Sequence, residues 1–149
     1  MGLPPLLNLA NEAEYRAYYE RTLVKRRIMT CDGWEIRFYP ESFNHAFFTS
    51  SSRTKPTKDV FDLSRARRID WITAVLGNLS TERYRRVMRK RIRRLFLEPS
   101  TPYVVVAEAM KPEQLKIARF VTAYVVTSEK ALTKMRSNPG WQNEVVDPE

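Results

Sequence analysis

A single histidine, His45, is the residue of this sequence best suited to proton transfer near neutral pH. It lies in the aromatic stretch Phe43-Asn44-His45-Ala46-Phe47-Phe48, directly before a basic segment. Thr122 and Tyr124 lie two residues apart in a segment with strand character, which would project a hydroxyl and a phenol from one face. Pattern alone favours a structural role for each, as a hydrogen-bonded histidine in an apolar frame and a packed strand pair. A catalytic role requires that the three side chains face one common groove.

A dense run of positive charge occupies residues 83–94, where eight of twelve residues are basic. We call these eight the arginine belt: Arg83, Arg85, Arg86, Arg89, Lys90, Arg91, Arg93 and Arg94. The whole chain carries a net charge of +9. Because a row of like charges repels itself, a polyanionic partner is favoured over a merely solvated face, and nucleic-acid phosphates are the commonest such partner. Within the belt, we expect Arg91, Arg93 and Arg94 to bind the nucleic-acid backbone.

The composition limits the chemistry that these residues can perform. One cysteine, Cys31, and one histidine exclude an internal disulfide, cysteine-rich zinc frameworks and multi-histidine metal sites. No Asp-x-Asp or similar cluster lies near the belt in sequence, so chemistry without a metal or cofactor is favoured. Such RNA cleavage needs a base for the ribose 2′-OH proton, cations for the phosphorane and an acid for the departing 5′-oxygen. DNA lacks that internal nucleophile, so we expect a ribonuclease.

The apolar segments of the chain are short. No run approaches the ~18 apolar residues that a membrane span requires. The first residues lack the basic start and apolar core of a secretory signal. A lone cysteine is typical of a reducing compartment. We therefore expect a soluble cytoplasmic protein with no membrane partner.

The pattern of caps and apolar residues predicts one α+β domain over residues 11–137, with N-terminal helices, a three- to four-stranded antiparallel sheet and a C-terminal helix. Residues 1–10 are interpreted as a leader, and residues 138–149 as a flexible tail. In the N-terminal part, Asn11 is predicted to cap a helix that reaches Arg27. Asp62 is predicted to cap a second helix, which ends at Gly77. Between these helices we expect a strand over 34–38, a short helix over 41–48 carrying His45, and a mobile basic loop over 49–58 containing Arg53 and Lys58.

The C-terminal part is predicted to hold the sheet. Strands are expected over 93–98, 103–109 and 116–126, followed by a helix capped by Ser128. Strict alternation along the last strand would place Phe120, Thr122 and Tyr124 on one face and Arg119 on the other. The belt itself fits both helical and strand spacing, and we expect a break within it.

Three segments of the sequence together resemble a known nuclease family. They are Tyr39-Pro40-Glu41-Ser42-Phe43-Asn44-His45-Ala46-Phe47-Phe48, Asp59-Val60-Phe61-Asp62 leading to Arg65-Ala66-Arg67-Arg68-Ile69-Asp70-Trp71-Ile72, and Arg119-Phe120-Val121-Thr122-Ala123-Tyr124. In this order they are similar to the phage-associated barnase–EndoU–colicin–RelE-like (BECR-fold) nuclease domains, over residues 34 to 137.

The resemblance implies N-terminal helices before a four-stranded antiparallel sheet, metal-independent RNA cleavage and a toxin or phage context. It further implies that His45 is the family's histidine and that Thr122 and Tyr124 are its last-strand pair. Arg65 matches the family's arginine at the start of a helix motif, where it serves packing or substrate binding. The family's glycine-bearing hairpin is replaced here by Pro99-Ser100-Thr101-Pro102.

Two classes of function follow from the sequence. The first is a toxin-type endoribonuclease that leaves 2′,3′-cyclic phosphate ends, with an acidic antitoxin or immunity protein as its second partner. In that hypothesis His45, Thr122 and Tyr124 are catalytic, and the substrate-binding residues are Arg53, Lys58, Arg65, Arg91, Arg93 and Arg94. The alternative is a non-catalytic binder of RNA, DNA or the ribosome, or a phage accessory protein that uses the belt against an acidic partner.

Overall fold

The computed structural model describes residues 2–51, 54 and 58–141. Within them the chain forms five α-helices and eight β-strands. The helices are α1 Glu12–Tyr19, α2 Ser42–Ala46, α3 Leu63–Ala66, α4 Ile69–Gly77 and α5 Glu129–Arg136. The strands are β1 Ile28–Met29, β2 Glu35–Arg37, β3 Phe48–Thr49, β4 Val60–Phe61, β5 Glu82–Met88, β6 Arg91–Glu98, β7 Tyr103–Ala109 and β8 Ile117–Val125.

Six of these strands form one mostly antiparallel sheet in the order β1-β2-β8-β7-β6-β5. The run from β5 to β8 is an antiparallel meander, which confirms the α+β class. β2 joins the other side of β8 in parallel, and β1 pairs with β2. The predicted strand count of three to four is therefore wrong, because the N-terminal segment contributes two strands to the same sheet.

Side-chain caps start three of the helices where the sequence predicts them. The side chains of Asn11, Asp62 and Ser128 accept hydrogen bonds from the backbone three residues later. The first helix continues as a π-helix over Glu20–Val24, whereas the segment after Asp62 divides into α3 and α4 instead of forming one helix. No helix of the described residues has both the length and the apolar character needed to cross a membrane.

The sheet has two unlike faces. One face packs against α1, α2 and α4 and forms the main aromatic core, which includes Tyr19, Phe47, Phe96 and Phe120. We call the other face the outer face. At one end it carries Leu97 and Val104, which α5 covers; at the other end the strand register places Arg93, Glu108 and Arg119. The outer face is therefore apolar under α5 and charged beyond it.

The arginine belt forms the β5–β6 hairpin, so its ambiguous pattern belongs to strands and not to a helix. The predicted break is the two-residue turn Arg89-Lys90, which connects the paired residues Met88 and Arg91. β7 pairs with β6 only from Arg93 onward. Residues 87–92 consequently form a two-stranded tip, in which Ile92 still packs against the main core.

Both predicted terminal segments include packed residues. In the leader, the Leu7 amide donates to the Arg67 carbonyl over 2.9 Å, and the Trp71 indole donates to the Pro4 carbonyl over 2.6 Å. In the predicted flexible tail, Trp141 is only 6% exposed. The expectation of a frayed tail is wrong for this residue, because its ring packs against Trp34 at 5.1 Å between centroids. Residues 142–149 lie outside the described residues.

Candidate functional site

Helix α2 anchors its apolar side in the core and leaves His45 at the surface. Phe43, Ala46 and Phe47 are fully buried, whereas His45 is exposed. The helix packs against β8, beyond the point where β2 ends its pairing at Arg119. The core residues on either side of the histidine therefore fix the backbone that carries the imidazole.

The β3–β4 ribbon brings two predicted cations to the end of α2. Phe48 pairs with Phe61 and Thr49 with Val60, which closes the basic loop. The Lys58 ammonium donates to the His45 carbonyl over 3.2 Å. The Arg65 guanidinium donates to the Ala46 carbonyl over 3.4 Å. Backbone carbonyls at a helix C-terminus carry partial negative charge, which favours cations there.

Four cations influence the His45 imidazole. Partial burial and the nearby charges of Lys58, Arg93, Arg119 and Arg65 lower its pKa below the usual value of 6.5. Both causes act in the same direction, because low dielectric and like charge each disfavour the imidazolium form. The imidazole is therefore neutral near pH 7, when it can accept a proton.

A β-bulge in β8 brings Thr122 and Arg119 onto one face. Val106 pairs with Thr122, but the next residue, Ala107, pairs with Phe120, so Val121 is the additional residue of the bulge. The sequence prediction that Phe120 shares the face of Thr122 is therefore wrong. Phe120 points into the main core, whereas Arg119 and Thr122 lie on the outer face.

Tyr124 lies on the same face as Thr122 and contacts one of the cations. The Arg65 guanidinium carbon lies 5.0 Å from the centroid of the Tyr124 ring, a cation–π distance. Arg65 also lies 3.4 Å from the Asp62 carboxylate. The phenol ring, the guanidinium and the end of α2 are thus directly connected.

A charged cluster next to Thr122 completes the site. Glu108 lies 3.6 Å from Arg93 and 3.6 Å from Arg119, one on each neighbouring strand. The Arg93 Nε and Glu108 Oε1 atoms are shielded from solvent and face each other across this 3.6 Å ion pair. The Thr122 Oγ1 atom is also shielded and has no hydrogen-bond partner among the described residues. Such an atom costs free energy unless a ligand or water satisfies it, so a polar ligand at Thr122 would gain a hydrogen bond.

Of the nine predicted site residues, six belong to this neighbourhood. They are His45, Lys58, Arg65, Arg93, Thr122 and Tyr124. Arg91 is exposed on the projecting hairpin tip, and Arg53 lies outside the described residues. We call the six together with Arg119 and Glu108 the His45 site.

Arg94 is not available to a substrate, and the prediction that it binds backbone is wrong. Its side chain is 1% exposed and forms a two-pronged hydrogen bond with Asp32, which is 2% exposed. The guanidinium also lies between Trp34 at 4.6 Å and Trp141 at 4.2 Å. Alternation along β6 turns Arg94 into the core and its neighbour Arg93 to the outer face.

Sequence reasoning missed Arg119 and Glu108. Strict alternation places Arg119 on the opposite face because it does not include the bulge, and Glu108 lies in an otherwise apolar strand. A carboxylate within a run of valines and alanines is itself a signal, since a charge on a half-buried strand requires a partner.

No group of three or more His, Cys, Asp or Glu side chains within the described ranges is arranged to hold a metal ion. Comparison with known proteins gives no match: no protein-family model fits the chain, and no curated protein or solved structure is significantly similar to it. A function can therefore be argued only from the chemistry of the site.

Proposed function

We propose that the protein is a metal-independent endoribonuclease of toxin type that cleaves RNA by attack of the ribose 2′-OH. The observation that carries this proposal is the exposed imidazole of His45 at the end of α2, where Lys58 and Arg65 bind the carbonyls of His45 and Ala46. Burial and the charges of Lys58, Arg93, Arg119 and Arg65 lower the pKa of this imidazole. A neutral base surrounded by fixed positive charge suits a reaction in which a proton is removed while negative charge grows on phosphorus.

In the proposed reaction, His45 takes the proton of the 2′-OH. The 2′-oxygen then forms a bond to phosphorus and the bond from phosphorus to the 5′-oxygen breaks. The departing oxygen takes up a proton, and the products are a 2′,3′-cyclic phosphate and a 5′-OH. Atoms and charge balance without water or an external reactant in this step.

Two groups of the site are suited to donate the second proton. Tyr124 carries a phenol on the same face as Thr122. The pKa of Lys58 is lowered by burial and by the charge of Arg65, which makes its ammonium a stronger acid than usual. The sequence favours Thr122 and Tyr124 for orienting the phosphate or supplying a proton and leaves the acid open, and Lys58 is a further candidate for that acid.

The arginines have a separate role in the proposed reaction. A pentacoordinate phosphorane carries two negative charges, and planar guanidinium groups bind such oxygens through paired hydrogen bonds. Arg93 and Arg119 are held by Glu108, so their positions are set before substrate binds. Preorganised donors of this kind are typically worth about 10²–10³ in rate each.

The alternative, a non-catalytic binder of RNA or of the ribosome, is favoured by one observation. Four cations in the hairpin tip or directly before it are exposed and have no acidic partner within the described residues: Arg86, Arg89, Lys90 and Arg91. They can hold a polyanion without any contribution from His45. If the toxin proposal holds, an acidic antitoxin or immunity protein covering these cations is the expected second partner.

The test is RNA cleavage in excess chelator by the wild type and by His45→Ala. Asn44→Ala is the matched control, since Asn44 is the exposed neighbour on the same helix. We expect discrete fragments with 2′,3′-cyclic phosphate ends from the wild type and the control, and a loss of about 10²-fold or more for His45→Ala. Undiminished cleavage by that variant, or salt-dependent RNA binding with no fragments from the wild type, would contradict the proposal.

A further inference from the structure

The arginine belt divides into two halves that differ in their partners. In the body of the sheet every belt residue has a carboxylate: Arg83 and Arg94 with Asp32, Arg85 with Glu113 and Arg93 with Glu108. The other four, Arg86 at the base of the tip and Arg89, Lys90 and Arg91 within it, are exposed, and no carboxylate of the described residues lies within 4.0 Å of them. Half of the belt is therefore structural, and half is available to a ligand.

The shape of the tip presents these charges away from the domain. Residues 87–92 are not paired with β7, and Ile92 still packs against the main core, so the pair Met88–Arg91 and the turn extend roughly 7 Å beyond the sheet at about 3.4 Å per residue. Arg89 adopts a positive φ of 52° at the turn. Arg86 lies directly opposite Arg93, and Arg93 shares the carboxylate of Glu108 with Arg119, so an excess of positive charge remains at this cross-strand pair.

The residue types at the tip indicate what it contacts. Residues 87–92 read Val-Met-Arg-Lys-Arg-Ile and contain no aromatic ring. Proteins that hold unpaired bases generally stack them on aromatic side chains, whereas arginine and lysine contact phosphates independently of sequence. The chemistry of the tip therefore matches phosphodiester backbone.

We propose that the hairpin tip is a second RNA-binding site, which holds phosphodiester backbone outside the nucleotides at the His45 site. This inference rests on the proposed function, since the RNA that the tip holds is the substrate of that site. Arg86, Arg91 and Arg93 share the outer face, and the charge of Arg93 reaches His45. A line of cations thus connects the tip with the imidazole, and the substrate is a polynucleotide longer than the cleaved step.

The test compares two triple variants that each remove three charges. The tip variant is Arg86→Gln, Arg89→Gln and Lys90→Gln. The matched control is Lys25→Gln, Arg26→Gln and Arg27→Gln, three exposed cations that precede β1 at the opposite edge of the sheet. Binding is measured against salt with fully 2′-O-methylated RNA, which has no nucleophile, in one single-stranded and one duplex form.

Affinity falls as salt rises, and we expect this fall to be less steep for the tip variant. The slope of log affinity against log salt should be smaller in magnitude by about 2 for the single strand or about 3 for the duplex. A slope lower by 2 corresponds to a roughly 16-fold smaller loss of affinity between about 50 and about 200 mM salt. The control is expected to keep the wild-type slope. The RNA form with the larger change shows whether the backbone is paired or unpaired.

An unchanged slope for the tip variant with both RNA forms overturns the inference, as does an equal change in the control. A dinucleoside monophosphate, too short to reach the tip, separates this inference from the proposed function. Its cleavage should be the same for the tip variant and the wild type. A different outcome is that the wild type cleaves neither this substrate nor long RNA, while the tip variant still changes the salt dependence of RNA binding. In that case the enzymatic proposal fails, and the tip remains an RNA-binding site.

Discussion

Replacing Arg94 by methionine should destabilise the fold and leave RNA binding at the tip unchanged. The side chain of Arg94 and that of its partner Asp32 are 1% and 2% exposed. Removing one member of a buried ion pair leaves the other charge buried without compensation, which typically costs about 3–5 kcal/mol. Methionine keeps most of the apolar contact with Trp34 and Trp141 but cannot replace the charge.

The size of this effect follows from what surrounds Asp32. Burial alone would raise the pKa of Asp32, but the hydrogen bonds and charge of Arg94, with help from Thr30 and Arg83, outweigh it and lower that pKa. Against a typical total stability of about 5–15 kcal/mol, a loss of about 3–5 kcal/mol is a large fraction. It corresponds to a fall in melting temperature of roughly 6–20 °C for a domain of this size.

Chemical denaturation of four proteins tests this reasoning: wild type, Arg94→Met, Asp32→Asn and the double variant. The double variant should recover at least about half of the loss, because it no longer buries an unpaired charge.

The pH dependence of stability gives a second readout. In the wild type, the pKa of Asp32 is lower in the folded than in the unfolded chain. The stability that Asp32 contributes is therefore fully present above the pKa of the unfolded chain and is lost as pH falls through the pKa of the folded protein. In Arg94→Met that pKa is raised, so the deficit should shrink toward acidic pH. A loss under about 1 kcal/mol, or a loss of RNA affinity without a loss of stability, would refute the structural role.

Three further outcomes are expected. The rate of RNA cleavage should fall on acidification with a midpoint below pH 6.5, because the reaction needs the neutral form of His45 and the pKa of His45 is lowered. Lys58→Gln should move that midpoint upward, because it removes one of the charges that lower this pKa. A pH–rate profile of kcat/KM measures both midpoints. Thr122→Val should leave stability unchanged or raise it by about 1 kcal/mol while lowering cleavage, since the Thr122 hydroxyl oxygen has no partner among the described residues. Trp141→Ala should cost about 3–5 kcal/mol in denaturation, because the ring is 6% exposed; a tail without a structural role would show no change.

Local signals in the sequence predicted the parts of the fold that depend on neighbouring residues. The caps at Asn11, Asp62 and Ser128 are short-range hydrogen bonds within one turn, and each forms as expected. The valine-rich strand β7 and the long strand β8 lie within about one residue of their predicted bounds. Propensity and alternation are sufficient where the partner strand is close in sequence.

Long-range pairing could not be predicted in the same way. β2 pairs in parallel with β8, joining Glu35 to Ile117, and no local pattern encodes a contact across so many residues. The bulge between β7 and β8 likewise changes the face of Arg119 without any change in composition. For this reason the sequence predicted Thr122 and Tyr124 on one face but gave the wrong neighbours to that face.

The arginine belt shows the same limit at the level of charge. Its eight cations are equivalent in sequence, yet the fold pairs Arg94 with Asp32 in the core and leaves Arg91 exposed on the tip. Charge density alone predicted a polyanion-binding segment. The division between structural and available cations depends on strand register and on acids that lie far away in sequence.

The most direct test of the central claim, that His45 activates a ribose 2′-OH among fixed cations, is a substrate with one change at the cleaved nucleotide. An RNA oligonucleotide that the wild type cleaves at a mapped position is compared with the same oligonucleotide carrying 2′-deoxyribose at that position alone. We expect cleavage at that position to disappear while binding affinity stays the same. Continued cleavage of the deoxy-substituted strand at the same position would show that the 2′-OH is not the nucleophile and would contradict the proposed mechanism.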